Sequence, residues 1–290
     1  MRIPILTYHS LNGADDSYGS NDHVALAADL NMIYSMDGRI VSLRSIVEEV
    51  LAPAPSSPKG KLQVAITFDD GANSDFIDFH HPEVGTYASF FNIIRASRLY
   101  KESRYCRDAS FATSFVIASP EARWQLDHTC IAGRDDWRDD WWLSAAETDV
   151  LSIANHSWDH LHPTLSSVAQ KDQKRGSFFD ICDKGDADIQ VLGAQDYIES
   201  KVGKRAEKLF AYPYGHVSEY LRDIYFPQNS DRILAAFSTA GEYVTETSNR
   251  WALPRFVCGD HWKNPDQLQG ILEGACQGEP DTGATRTPIA

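Results

Sequence analysis

Val64-Ala-Ile-Thr-Phe68 runs straight into Asp69-Asp70-Gly71, and the reading of this junction decides the fold. An unbroken apolar run of β-branched and aromatic residues, with little polar alternation, reads as a strand buried on both faces, which is the habit of parallel sheets. Its abrupt end in two carboxylates and a glycine puts charge at the carboxyl end of a strand, where α/β proteins assemble their sites. Outward from this point the same rhythm recurs. Strands are expected at 3–8, 40–41, 112–117, 151–154, 208–212, 234–237 and 253–257. Between them, Asp22 is placed to cap a helix carrying Val24, Ala27, Leu30 and Ile33 and stopped by Gly38, and Ser42 to cap one whose stripe is Ile46, Val47, Val50 and Leu51. Further helices are expected at 83–101, 144–150, 187–202, 217–226 and 265–276. Such alternation specifies an α/β protein with parallel strands, and a barrel or an open sheet fits it equally.

The 290 residues suffice for one large domain, and 42% hydrophobic with 23% charged residues excludes collagen-like and disordered classes. A single domain over 1–277 is expected, with insertions at about 73–107 and 124–142 that wall a site and a disordered tail over 278–290. The proline-rich segment 52–60 reads as a surface loop, because strand signal resumes directly after it. Lysine plus arginine (27) against aspartate plus glutamate (41) gives −14, which repels polyanions and argues against nucleic acid or anionic membrane surfaces as partners. No run approaches the roughly 20 apolar residues of a membrane span. The opening residues hold too short an apolar run for a secretory signal, so the cytoplasm is the expected location unless a signal precedes them. Five widely spaced cysteines (Cys106, Cys130, Cys182, Cys258, Cys276), without a C-x-x-C pair, suggest neither a disulfide framework nor a thiolate zinc site.

Three clusters follow expected strands. In Asp69-Asp70-Gly71 the glycine permits a sharp turn, so one carboxylate is free to bind metal while its neighbour handles protons. In Asn155-His156-Ser-Trp-Asp-His160-Leu-His162, histidines four apart lie on one face of a helical turn, where their rings converge on one ion. Asp70 completes a His-His-carboxylate set with open positions, the form of a catalytic metal site. The third cluster, Tyr212-Pro-Tyr214-Gly215, pairs a stiff proline with a permissive glycine and is suited to aim the Tyr214 backbone N–H at an oxyanion. Taken alone it reads equally as a tight turn with aromatics in the core.

In this order, and preceded by Pro4-Ile-Leu-Thr-Tyr-His9-Ser10, these motifs resemble the polysaccharide deacetylase family, also called the NodB-homology domain or carbohydrate esterase family 4, over roughly residues 3–262. The resemblance implies a distorted (β/α) barrel of about seven strands. It also implies one divalent ion, zinc first, with cobalt, nickel or iron(II) as alternatives, and hydrolysis of N-acetyl groups on an amino-sugar glycan. Asp69 then matches the catalytic base, and Asp70, His156 and His160 the metal ligands. Where the family carries an arginine two residues before the proline, this chain has Ala211, a departure that resembles the branch acting on exported poly-N-acetylglucosamine. There the N-terminal Tyr-His motif supplies the acid, which makes His9 the first proton-donor candidate. His261 is the alternative donor, although the Leu-x-His pattern itself is missing. Arg255 is a candidate to orient Asp69 in place of the missing arginine, with Asp260 beside it. His162 stays open between a supporting and a surface role.

For glycan binding, Tyr212, Trp137, Trp141, Trp142 and Trp158 are candidate aromatic faces, each equally able to pack a core. Two other readings keep the same motifs: hydrolysis of a small cyclic or nucleoside-like amide, with the insertion after Gly71 as a lid, and a catalytically silent glycan-binding module. An unaltered Asp69 speaks against the silent module.

Overall fold

The computed structural model describes residues 2–13, 15–52, 61–81, 85–105 and 110–277. Cys106, most of the 52–60 loop and the 278–290 tail lie outside the described residues. In chain order the elements are β1 (Ile5–Tyr8), α1 (Asp22–Ser35), β2 (Arg39–Ile40), α2 (Leu43–Leu51), β3 (Gln63–Phe68), β4 (Phe79–His81), β5 (Gly85–Tyr87), α3 (Phe90–Ala96) and α4 (Arg98–Lys101). There follow β6 (Ala112–Val116), α5 (Pro120–Cys130), α6 (Trp142–Ala146), β7 (Leu151–Asn155), α7 (Lys184–Ala187), α8 (Ala194–Val202), β8 (Ala206–Ala211), α9 (Phe226–Gln228), β9 (Ala235–Phe237), β10 (Phe256–Val257) and α10 (Pro265–Cys276).

The main sheet is parallel throughout, in the order β10-β1-β3-β6-β7-β8-β9, with β2 beside the start of β3. Strands β1, β3, β6 and β7 are buried at every residue, as a parallel sheet covered on both faces requires. The sheet curls until its ends approach. Leu253 bridges Phe237 of β9, and three residues further on Phe256 and Val257 pair with β1, so the segment leading into β10 joins the two edges. This is the distorted barrel anticipated from the motifs.

Its inside is filled by Ile5, Ala65, Phe115, Ala154, Leu209, Ala211, Ala235, Phe237 and Leu253. Small alanines leave room for the two phenylalanine rings, whose centroids are 5.6 Å apart. Because side chains alternate along a strand, Ala65 and Thr67 face inward, and Asp69 continues that inward series at the strand's end. Thr67 Oγ1 meets Thr7 Oγ1 at 2.9 Å inside the barrel.

Several local expectations need correction. Asn21, not Asp22, caps α1 through the N–H groups of His23 and Val24. The buried stripe is accordingly Ala25, Leu26, Leu30 and Ile33, and the Asp22 carboxylate is left to accept the His9 N–H at 2.7 Å. At the other end Asp37 takes the left-handed conformation (φ 55°), while the Gly38 N–H returns to the Ile33 carbonyl. The helix expected at 83–101 is instead the β4–β5 hairpin followed by α3 and α4, because Ser89 and Ser97 each cap a new start. Residues 124–142 are not wholly an insertion. Ser119-Pro120-Glu121 starts helix α5, with the Ser119 hydroxyl accepting the Ala122 N–H and proline at the first turn, where its missing donor costs nothing.

Candidate metal and catalytic centre

Asp69 and Asp70 leave β3 in different directions. Asp70 adopts φ 75° and Gly71 φ 70°. A Cβ on Gly71 would sit 2.6 Å from Val116 Cγ1, so only glycine lets the turn lie against β6. The Asp70 carbonyl accepts from Trp137 Nε1 at 3.1 Å, which fixes the turn to the far side of the site.

The histidine loop follows β7. It is not a helical turn: Ser157, His160 and Leu161 all have positive φ (72°, 62° and 45°). Side chains of the loop hold this shape. Asn155 Oδ1 accepts the Ser157 N–H, Ser157 Oγ accepts the His160 N–H, and Asp159 accepts from Leu161 and from Gln190 Nε2. Between α7 and α8 the wider turn Asp188–Gly193 leaves carbonyls available, and those of Gln190 and Val191 take the Trp158 N–H and Asn155 Nδ2.

Both imidazoles therefore reach Asp70 by a route that spacing alone did not describe. His156 Nε2 is 3.6 Å and His160 Nε2 3.7 Å from Asp70 Oδ1, and the three donor atoms lie within 4.8 Å of one another. His156 Nδ1 donates to the Ala211 carbonyl at 2.9 Å, which leaves the Nε2 lone pair facing Asp70. Burial holds the His160 ring well below its ordinary pKa, in the neutral form a metal requires. Among the described residues its buried Nδ1 has no hydrogen-bond partner. Two imidazoles and a carboxylate with room around them fit a divalent ion of the zinc type.

Asp69 is 5% exposed, and both its oxygens accept from the Arg255 guanidinium, at 2.7 and 2.8 Å. Desolvation raises the Asp69 pKa, but the Arg255 charge and hydrogen bonds outweigh it and hold the group well below the usual carboxylate range. Asp69 is thus clamped by Arg255.

These groups line a cavity of about 290 Å³ with His9, Trp137, His162, Tyr214 and Asp260, near the lower limit of small-ligand pockets. Tyr214 sits at φ 59° in the turn after β8, its ring 4.4 Å from that of His160. His162 binds Thr164 Oγ1 through Nδ1 at 2.9 Å.

Residues 112–226, from β6 to the start of α9, match the family model described as polysaccharide deacetylase. Over that stretch the chain is similar to the polysaccharide deacetylase family. The matched span contains His156, His160 and Tyr214, and the fold brings Asp69, Asp70, His9 and Arg255 to them from outside it. Three solved structures share the architecture. The Streptococcus pyogenes deacetylase PplD in complex with acetate is 16% identical, with TM-score 0.59 over 94% of this chain and 98% of that one. IcaB from Ammonifex degensii is 15% identical, with TM-score 0.62 over 95% and 97%. The BpsB deacetylase domain from Bordetella bronchiseptica is 13% identical, with TM-score 0.55 over 88% and 95%. No curated protein sequence matches the chain. At these identities the three structures establish the deacetylase barrel fold and nothing finer.

Within that fold several candidates stand elsewhere. Tyr212 is fully buried, its hydroxyl donating to the Trp251 carbonyl at 2.9 Å, and it packs on Phe210 and Phe226. Trp141 and Trp142 are core residues, Trp142 lying under the Arg123 guanidinium. Trp158 is half-buried with its ring edge-on to Tyr197. None of these four lines the cavity; Trp137 alone of the five aromatic candidates does so. His261 also lies outside the cavity lining, its Nδ1 accepting the Val257 N–H at 2.8 Å.

Asp75 was missed. It is fully buried below the site and accepts the Ser10 and Ser114 hydroxyls, both at 2.6 Å. No local pattern marks it, since those partners are 65 and 39 residues away in sequence.

Proposed function

We propose that this chain is a metal-dependent hydrolase that removes N-acetyl groups from an amino-sugar polysaccharide or oligosaccharide. The observation that carries the reading is the convergence of Asp70, His156 and His160 beside a clamped Asp69 in one cavity. Asp70, His156 and His160 would hold one divalent ion, zinc by its donor set. Bound there, it supplies Lewis-acid chemistry, polarising the acetyl carbonyl and acidifying water.

Asp69 takes a proton from the attacking water. Arg255 keeps that carboxylate ionised and fixes the direction of its lone pairs, at the expense of basicity. The Tyr214 backbone N–H, in the turn at the cavity wall, is assigned to the developing oxyanion. His9 delivers the proton to the leaving amine; its place in the cavity lining, with its backbone N–H tied to Asp22, supports it over His261.

Acetate release from a panel of N-acetylated glycans and small cyclic amides tests the reading. Activity on glycans should vanish with chelator and return with added zinc. His9→Ala should lower kcat on the same substrate by about 100-fold or more, whereas His261→Ala should leave it nearly unchanged. Activity on small amides alone, or activity indifferent to chelator, would remove the proposal.

A further inference from the structure

Of the seven tryptophans, six are buried or half-buried, and Trp124 is 60% exposed. Exposing so large an apolar face forfeits the burial free energy its six counterparts gain, so what lies in front of it matters. Trp124, on α5, lines a groove of about 530 Å³ together with His128, Asp127, Arg138, Asp140 and Trp137. Trp137 also lines the catalytic cavity, and so does Leu126 on the same helix. Trp137 is therefore a lining residue common to groove and cavity, and helix α5 contributes a residue to each.

The groove is built to keep its shape. His128 packs tilted against the Trp124 ring, 4.4 Å between centroids, and anchors Nδ1 on the Trp124 carbonyl at 2.8 Å. Asp127 Oδ2 and Oδ1 accept the backbone N–H groups of Asp135 and Asp136 at 3.0 and 2.8 Å. Arg123, buried beneath, donates to the Trp137 carbonyl and pairs with Asp139 at 2.7 Å. The charged groups of the groove are paired with one another. Although His128 packs against it, the Trp124 indole stays 60% exposed beside polar donors and acceptors, the combination that suits a pyranose ring, with an apolar C–H face and a rim of hydroxyls.

We infer that this groove binds the sugar units adjoining the one whose acetamido group occupies the catalytic cavity, with Trp124 as the stacking platform. The inference rests on the glycan reading above and deepens it: the substrate is an oligomer or polymer, not a single amino sugar. A small amide or a lone N-acetylhexosamine would reach the cavity without touching Trp124.

The test compares wild type, Trp124→Ala and Trp124→Phe, loaded with zinc, on N-acetylglucosamine and its dimer, tetramer and hexamer, in both β-1,4- and β-1,6-linked series, with 4-nitrophenyl acetate as a small control. Trp124→Ala should lower kcat/KM on the hexamer about tenfold, mainly through KM, and leave monomer and nitrophenyl ester unchanged. Trp124→Phe should recover most of the loss. Equal hexamer rates for wild type and Trp124→Ala, or an equal loss at every length, would overturn the subsite and leave the deacetylase reading standing. If the wild type releases acetate from no oligomer while still cleaving the ester, the glycan reading falls and the subsite with it.

Discussion

Arg255 has no exposed surface; its guanidinium spans both oxygens of Asp69, and its Cζ lies 5.3 Å from the centroid of the Phe115 ring. A buried pair of this kind costs desolvation on both sides, so it is weak evidence for stability but strong evidence of dependence between partners. Arg255→Ala should destabilise the fold by about 3–5 kcal/mol in urea unfolding, because it strands a buried carboxylate. It should also abolish turnover, since Asp69 would then gain a proton at working pH. The sign of the pH effect follows from the depressed Asp69 pKa. The stabilisation is fully present above the unfolded aspartate value of about 3.9 and is lost only as pH falls through the lower folded value. The stability gap between wild type and Asp69→Asn should hence be level from about pH 5 to 8 and shrink only below about pH 4. A gap that changes between pH 5 and 8 would contradict the clamp.

At the scale of elements, helix starts and strand-end loops do the positioning. Ser119 caps α5, which carries both Leu126 of the cavity and Trp124 of the groove. Ser119→Ala should cost about 1 kcal/mol and loosen both walls, read as a lower Tm with a raised KM for long substrates. Under the β1 and β3 loops, burial raises the Asp75 carboxyl to about 7, against the Ser10 and Ser114 hydrogen bonds that lower it. The folded state then holds a proton that the unfolded chain has released. The associated stability is full below about pH 4 and drains away as pH rises through about 7. Asp22, raised to about 6, and Asp29, raised to about 7, act in the same direction. Asp75→Asn should remove one group's share of that slope and make the protein comparatively more stable at pH 8, measured as unfolding free energy against pH. A slope identical to wild type would exclude a buried ionisable Asp75.

For the whole molecule, the decisive feature is that the sheet meets its own edge. Leu253 donates its N–H to the Ala236 carbonyl at 2.8 Å and is fully buried inside the barrel, two residues before Arg255. The same short segment thus closes the sheet and delivers the partner of Asp69. Leu253→Ala should cost about 2–5 kcal/mol through the cavity it leaves, and the loss should appear in one cooperative transition. Activity should fall with it, because Arg255 would lose its support.

Much of this was legible in the chain itself. Unbroken apolar strands and Ser42 as a cap specified a parallel α/β fold, while the order of Asp69-Asp70-Gly71, His156 to His160 and Tyr212 to Gly215 carried the resemblance that implied a barrel and named candidate metal ligands, because burial on both faces and ligand chemistry constrain residue type locally. The rest depended on distances between segments. Four-residue spacing suggested a helical turn for the histidines, yet the backbone is held in left-handed conformations by Asn155, Ser157, Asp159 and Gln190. Tryptophan-rich sequence suggested sugar faces, yet Trp141 and Trp142 lie in the core, since an indole is at once the best stacking surface and the largest core filler. Which aromatic faces solvent, how closely Arg255 grips Asp69 and which acid lies hidden beneath the loops were decided only when the sheet closed, for each depends on partners tens to nearly two hundred residues away.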